Sequence, residues 1–308
     1  RLLFWTGFTS MGMEVVWTRA FTPILKTQVY SFAALLAVYM VATFVGSILY
    51  RRQKARRKLM GFPAILGMLA MTALLPVVIN DPRMHDSVFL VLFSIVPFCA
   101  VLGYLTPRLV DDVSLGAPDA AGWAYAVNLL GCILGPLTAG YLLLPMLGAR
   151  AALLLLAVPL FAVFAARIFS KKSTPHPDFA WGGATLVLLV MAIFFSRNFE
   201  ESFRGVTGKR TLRRDFVATV VASGEGLDKY LFVNGIGITR LVSITKYITH
   251  LPLLALDHPP KSALIICLGM GTSYRSSLSW GIETTSVELV PSVKELVPFY
   301  FPDLAGRV

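Results

Sequence analysis

The chain has 308 residues, 56% of them hydrophobic and only 15% charged, with a formal net charge of +11 and a mean hydropathy of +0.70. Soluble domains average about 45–50% apolar and about 25% charged residues, so this composition excludes a wholly water-soluble protein and places the chain in the membrane class. The positive charge does not call for nucleic acid. Its densest run, Arg51-Arg52-Gln53-Lys54-Ala55-Arg56-Arg57-Lys58, lies between two apolar runs, where cytoplasmic loops collect Lys and Arg, not on a basic face interleaved with aromatics.

A membrane span needs about 20 mostly apolar residues. Stretches meeting that demand are predicted at residues 2–24, 28–50, 59–79, 87–107, 121–146, 149–169 and 179–196, giving a transmembrane helical domain of about seven spans over 1–196. A secretory signal peptide is not expected, because the apolar pattern recurs and residues 1–25 are interrupted by Glu14 and Arg19. These two are ionisable residues inside an apolar run, where a charge is costly and often functional. They read either as a substrate or ion site or as a polar pair that orients helices. Five residues apart is about 140° around a helix, so they need not touch. Gly131-x-x-x-Gly135, followed by Gly140, is a helix-packing pattern, and Asn128 in the same segment is expected to hydrogen-bond across helices.

Charge placement predicts sidedness with one conflict. The 51–58 loop asks to be cytoplasmic, and so do Arg167, Lys171 and Lys172. Residues Arg197, Arg204, Lys209, Arg210, Arg213 and Arg214 ask for the same side, yet five expected spans between the loop and residue 197 put them on opposite sides. The reading adopted is an integral protein of a bacterial cytoplasmic membrane with its C-terminal part in the cytoplasm.

Beyond residue 196 the composition becomes that of a globular sequence. Residues 215–242 read as strands, Asp215–Ala222 and Lys229–Val233, with a turn at Ser223-Gly224-Glu225-Gly226 and a hairpin ending in Asn234-Gly235. Ala263-Leu264-Ile265-Ile266-Cys267 reads as a buried parallel strand. A Gly-rich turn, Leu268-Gly269-Met270-Gly271-Thr272-Ser273, follows, then a helix to Trp280 and a second strand, Thr284–Leu289, that includes Glu288. That acid lies 19 residues beyond Gly269. Strand, Gly-rich turn, helix, strand and acid form the unit of a Rossmann-like nucleotide site, in which glycines let backbone approach the ligand and the acid accepts ribose hydroxyls. The spacing does not separate a nicotinamide cofactor from S-adenosylmethionine or its decarboxylated form. Cys99, Cys132 and Cys267 match neither a metal nor a disulfide pattern and are expected as buried small hydrophobes; no metal is expected. The fold class is thus a polytopic α-helical membrane domain, a linker and β-hairpin region over 197–260, and the start of a Rossmann-like α/β domain over 261–308. The chain begins at Arg1 inside an apolar run and stops at Val308 partway through that domain, the pattern expected of a piece of a longer protein.

The order His250-Leu251-Pro252-Leu253, His258-Pro259-Pro260-Lys261, Ala263 to Thr272, Val287-Glu288-Leu289-Val290-Pro291-Ser292-Val293 and Phe299-Tyr300-Phe301-Pro302 resembles spermidine synthases. Gly12–Arg19 and Asn128–Pro136 resemble the membrane half of bacterial proteins that fuse a multi-span domain to a spermidine-synthase-like domain. The resemblance implies a transferase using decarboxylated S-adenosylmethionine or S-adenosylmethionine as co-substrate. Gly269 and Gly271, with Thr272 beside them, would line the amino-acid tail or its remnant, and Glu288 would hold the ribose. His250 would line the substrate side or serve the structure near a strand start. A small amine would attack the carbon next to the sulfonium and methylthioadenosine would leave. The acid that deprotonates the amine is expected beyond Val308, so no catalytic residue is assigned in this chain. Three positions depart from the family: Met270 stands where those enzymes carry a loop acid, and Ile244 and Lys246 stand where they carry a Tyr and an acid that hold the polyamine.

Three functions follow as expectations. The first is a membrane-anchored aminopropyltransferase-like enzyme. The second is a transporter or membrane scaffold with a degenerate ligand-sensing module, and the third a methyltransferase acting at the membrane. The expected partners are the lipid bilayer and a small-molecule substrate, with a homo-oligomer as a further option.

Overall fold

In a bilayer the backbone must satisfy its own hydrogen bonds, and the apolar part of this chain does so as helices. The structure is a computed structural model that describes residues 1–26, 29–81, 83, 87–168, 175–201, 208–258 and 260–307, without the side chains of 168, 175–181 and 201. Lys171, Lys172, Arg204, Pro259 and Val308 therefore lie outside the described residues or side chains. The chain divides into two units, Arg1–Phe199 and Glu200–Val308.

The first unit is a helical bundle: α1 (Leu2–Ala20), α2 (Thr22–Leu25), α3 (Val29–Ala55), α4 (Phe62–Ile79), α5 (Val88–Ser114), α6 (Pro118–Thr138), α7 (Leu144–Ile168) and α8 (Pro175–Val190). One π-helical turn, Ala139–Leu143, joins α6 to α7, and another, Met191–Phe195, ends α8. Four helical runs are long and apolar enough to cross a membrane: Val29–Ala55, Phe62–Ile79, Val88–Ser114 and Pro118–Arg167. The last run is broken at Gly148, whose φ of 78° and ψ of 172° are not helical. Only a residue without a Cβ takes that conformation cheaply. Two helices outrun their apolar stretches. The stretch 28–50 continues to Ala55 and the stretch 87–107 to Ser114, because their polar ends find each other. Asp111 accepts from the Tyr50 hydroxyl at 2.6 Å and from the Lys54 ammonium at 2.5 Å.

Two helix pairs set the bundle's geometry. A Cβ on Gly131 would stand 2.1 Å from the Phe4 carbonyl oxygen, and one on Gly135 2.1 Å from that of Phe8, so α6 lies directly on α1. Likewise a Cβ on Gly46 would stand 1.9 Å from the Ala100 oxygen and one on Gly103 2.1 Å from that of Thr43, joining α3 to α5. Gly140 has no such approach, its nearest neighbour being Val15 at 3.9 Å. Trp17 and Phe98, both fully buried, meet edge-to-face at 5.8 Å and bring α1 against α5.

Polar contacts sort the two ends of this bundle. At one end Tyr104 donates to Gln53 at 2.7 Å, Arg108 donates to the Met60 carbonyl at 2.7 Å and Arg167 lies over the Phe62 ring at 5.2 Å. That end carries the basic loop. At the other end Asp81 holds Arg83 at 2.8 Å and accepts from the Arg197 N–H at 3.0 Å, while Arg150 donates to Ser196 at 2.8 Å. Burial alone would raise the Asp81 pKa, but the Arg83 and Arg197 donors outweigh it and hold the carboxyl below the ordinary range. The chain thus leaves the bundle at the end opposite the 51–58 loop. Arg197 therefore stands at the end of the bundle opposite the 51–58 loop.

The second unit opens with an antiparallel sheet in the order β1 (Arg210–Arg214), β2 (Thr219–Glu225), β3 (Asp228–Val233) and β4 (Ile236–Arg240). The strand expected from Asp215 starts only at Thr219. The Asp215 carboxylate instead accepts from the N–H groups of Val217 and Ala218, both at 2.7 Å, and closes a turn. The turn expected at 223–226 falls at Gly226-Leu227, because Ser223 and Gly224 stay paired with Tyr230 and Lys229. Asn234-Gly235 makes the next turn, with positive φ at both residues as a two-residue hairpin requires. Strand β1, Arg-Thr-Leu-Arg-Arg, was not foreseen. Charged side chains hide an edge strand from pattern reading even as they protect its edge.

Helix α9 (Ile244–Leu254) follows, then β5 (Ser262–Ile266), α10 (Thr272–Leu278), β6 (Glu283–Val287) and α11 (Pro291–Tyr300). Strands β5 and β6 pair in parallel. Among the described residues they form a two-stranded sheet, not a wide one, and this corrects the expectation of a buried strand: Leu264 is 64% and Ile266 75% exposed. Cys267, also expected to be buried, is exposed and has a φ of 72° just past the strand.

Single cysteines placed at Arg56 and at Arg197, in a chain with Cys99, Cys132 and Cys267 replaced by serine, should react with a membrane-impermeant maleimide from opposite sides of sealed vesicles. Labelling of both from one side would overturn the arrangement of the bundle's ends.

Candidate functional site

The Gly-rich turn begins where β5 stops. Cys267, Gly269 and Gly271 have φ of 72°, 55° and 86°, so every second residue is left-handed and the backbone coils tightly between strand and helix. The two glycines do different work. A Cβ on Gly269 would meet nothing within 4 Å, whereas one on Gly271 would stand 3.0 Å from Val297 Cγ1. Gly269 keeps an open face; Gly271 lets the turn settle onto α11. Met270 points the other way. It is only 3% exposed and packs with Val220, Leu231, Val293 and Leu296, so it is a core anchor.

Glu288 follows β6 and reaches back to the same turn. Its Oε2 accepts from the N–H of Leu268 at 2.9 Å and of Gly269 at 3.2 Å, and Oε1 accepts from the Val290 N–H at 3.1 Å. The structure therefore brings Gly269 and Glu288 into direct contact. A half-buried carboxylate is held at the mouth of an open Gly turn by charge-assisted bonds to backbone donors.

His250 lies elsewhere. It sits on α9, not at a strand start, and its Nδ1 accepts from the Trp280 indole N–H at 2.8 Å. His250 and Thr272 line a separate cavity of about 340 Å³ with Lys246, Arg275 and Asp303; Gly269, Gly271 and Glu288 do not line it. Arg275 and Asp303 pair there at 2.8 Å, which holds the Asp303 carboxyl below its ordinary range. Asp215, which no motif marked, supports the Glu288 segment. Its Oδ2 accepts from the Ser292 N–H at 2.8 Å in the first turn of α11. Burial pushes its pKa up, but the donors of Ala218, Ser292 and Val217 prevail and hold it below the usual carboxylate range.

In the bundle, Asn128 donates from α6 to the Leu3 carbonyl at 2.7 Å and to Thr6 Oγ1 at 3.3 Å on α1. It also lines a cavity of about 690 Å³ bounded by α1, α3, α5 and α6, to which Thr6, Ser10, Tyr39, Thr43 and Ser47 contribute oxygens. Glu14, at 9% exposure, and Arg19, at 6%, are both buried and lie on different faces of α1. The hydroxyl residues around the cavity carried a signal that span-finding ignores: they recur every fourth position.

Comparison with protein families, with curated proteins and with solved structures finds no match to this chain.

Asp215→Asn should cost the second unit about 1–2 kcal/mol, the value of a helix-terminal acceptor. Because the folded pKa is depressed, the contribution of Asp215 is fully present above the unfolded value of about 3.9 and is lost as pH falls through the folded value. Melting curves should therefore show wild type and variant converging at low pH; a constant gap would refute the role. Gly271→Ala, strained and crowded, should cost about 1–3 kcal/mol, and Gly269→Ala, strained only, about 1 kcal/mol. Equal losses would mean that Gly271 does not depend on its fit to Val297.

Proposed function

We propose that the chain is the membrane-anchored part of a spermidine-synthase-like transferase whose globular unit binds decarboxylated S-adenosylmethionine, with S-adenosylmethionine as the alternative co-substrate. The observation that supports it is the Glu288 carboxylate held 2.9 Å from the Leu268 nitrogen and 3.2 Å from that of Gly269, beside the open face of Gly269. Three of the roughly four acceptor sites of a carboxylate are taken by the backbone N–H groups of Leu268, Gly269 and Val290, which leaves about one, on Oε1, for a ribose hydroxyl while Glu288 fixes the turn. The absent Cβ at Gly269 leaves room for the tail of the co-substrate. Thr272 is 6% exposed and opens α10 behind this turn; its part is to hold the turn.

The co-substrate supplies a sulfonium, whose sulfur takes the electron pair when an amine displaces it from the neighbouring carbon. Met270 is buried, and Ile244 and Lys246 stand on α9. The groups that hold a polyamine in the family are therefore not supplied at these positions, and the acceptor is an amine of another kind.

A second reading, a transporter or scaffold carrying a ligand-sensing module, draws on two observations. The bundle contains a polar cavity. The chain also leaves the bundle opposite the basic loop, and with that loop in the cytoplasm by charge the exit faces away from a cytosolic co-substrate.

The test is to incubate the full-length protein in nanodiscs with decarboxylated S-adenosylmethionine and a panel of primary amines, and to assay methylthioadenosine. Release with at least one amine is expected, falling about tenfold or more in Glu288→Gln, the scale of one charge-assisted hydrogen bond. No methylthioadenosine with any amine sinks the aminopropyl reading. Transfer of a labelled methyl group from S-adenosylmethionine in its place would make the protein a methyltransferase.

A further inference from the structure

The cavity of about 340 Å³ in the second unit is walled by three segments: α9, α10 and the stretch after α11. Each brings an exposed cation to it, Lys246 from α9, Arg275 from α10 and Arg307 from the last stretch. One carboxylate, Asp303, stands among them. It is already engaged: it accepts from Arg275 Nε at 2.8 Å, and Arg307 lies near enough to act on it electrostatically. The Lys246 ammonium and the Arg307 guanidinium have no hydrogen bond or ion pair among the described residues. Three positive charges against one negative leave the cavity an excess of two.

Several of the donors are held in place. Arg275 is fixed twice, by Asp303 at Nε and by the Phe301 ring, whose centroid lies 5.1 Å from the guanidinium carbon. Its two terminal nitrogens have no hydrogen bond among the described residues, and such a fork can take two oxygens of one anion. Tyr274 donates its hydroxyl to the Arg307 carbonyl at 3.2 Å and so fastens the last stretch to α10. His250 Nδ1 accepts from the Trp280 N–H at 2.8 Å, so the ring carries its proton on Nε2, and that nitrogen is a donor. Thr272 and Ser276, both buried and one turn apart on α10, also line the cavity. Their hydroxyls have no hydrogen bond among the described residues. Ser279 differs, because it gives its proton to the Ser276 carbonyl at 2.6 Å. The remaining wall is apolar, from Leu278, Phe301 and Leu304.

We propose that this cavity binds a small soluble phosphate ester, with Lys246, Arg275 and Arg307 on the phosphate and the Thr272 and Ser276 hydroxyls donating beside them. A phosphomonoester carries about −1.5 to −2 charges at pH 7 and three strong acceptor oxygens, which matches the excess of positive charge. A carboxylate carries a single charge and about four acceptor sites, fewer than the donors gathered here. The volume stands at the lower end of the range for small-molecule sites, about 300–1,000 Å³, so a few carbons fit beyond the phosphate, against Phe301 and Leu304. Gly269, Gly271 and Glu288 do not line this cavity. The proposal is independent of whether the globular unit is a transferase, and its test does not read methylthioadenosine.

The test is equilibrium binding of radiolabelled glycerol 3-phosphate to the full-length protein in phosphatidylcholine nanodiscs, with labelled glycerol as the uncharged control. Glycerol 3-phosphate should bind saturably and glycerol should not. Lys246→Gln, which removes an exposed charge, should weaken binding about tenfold, the scale of one charge-assisted hydrogen bond, and Arg275→Gln by at least as much. Lys294→Gln, the same charge change on α11 away from the cavity, should leave binding unchanged. Acetate should compete at least about tenfold less well than inorganic phosphate, for want of the same contacts. Should Arg275→Gln not yield a monodisperse protein, Arg307→Gln takes its place beside Lys246→Gln. Phosphatidic acid added to the nanodisc should not displace the ester; displacement would assign the site to a lipid headgroup and overturn the soluble ligand. The proposal also falls if glycerol 3-phosphate is retained no better than glycerol, if the cavity variants bind it as wild type does, if Lys294→Gln weakens binding as much as Lys246→Gln, or if acetate competes equally.

Discussion

Backbone-to-backbone approach at glycine is the constraint on which the first unit rests. Between membrane helices there is no hydrophobic drive, since lipid is as apolar as leucine, and association depends on close packing and on hydrogen bonds. Gly131 and Gly135 lay α6 on α1 along the backbone of Phe4 and Phe8, and Gly46 and Gly103 lay α3 on α5. Asn128 adds a hydrogen bond to the first pair. With partners fixed this tightly, α1 and α3 are held facing each other without meeting. The cavity lined by Thr6, Ser10, Tyr39, Thr43 and Ser47 is bounded by these two helix pairs, and larger side chains at the glycines would displace its walls.

The second unit depends on carboxylates in place of glycine pairs. Asp215 spans from the turn before β2 to the first turn of α11, and Glu288 from the end of β6 to the Gly-rich turn. Each takes up backbone N–H groups that a short irregular segment would leave without partners. Met270 closes the arrangement from below by entering the core between the antiparallel sheet and α11. The same turn is therefore anchored on one face and open on the other, the asymmetry a binding turn needs.

The two units pose different functional questions. In the globular unit the acid and the open glycine are adjacent, while His250 and Thr272 line a second cavity. In the bundle, polar side chains spaced along separate helices come together only because those helices line one cavity. Sites on loops are compact and show up as motifs; a path along a helix interface is diffuse and shows up as periodicity.

Long apolar runs, the glycine pattern at Gly131 and Gly135, and the spacing from Gly269 to Glu288 were legible in the amino-acid sequence. Each reflects a local rule: bilayer thickness fixes span length, a missing Cβ permits close approach, and a turn followed by strand-length segments sets a recurring distance. Strand β1 and helix α9 were not legible. The first is charged, and the second has no buried residue to impose a period. Nor was the exposure of Leu264 and Ile266 legible, since an apolar strand reads the same whether or not both faces are covered. Charge placement and span count disagreed in the sequence over which end of the bundle the chain leaves, and tertiary structure decided between them, because Arg197 meets Asp81 from 116 residues away. It alone also decided that Glu14 is buried within the bundle, because burial is set by the helices packed around a side chain, and its own sequence neighbours do not name those helices.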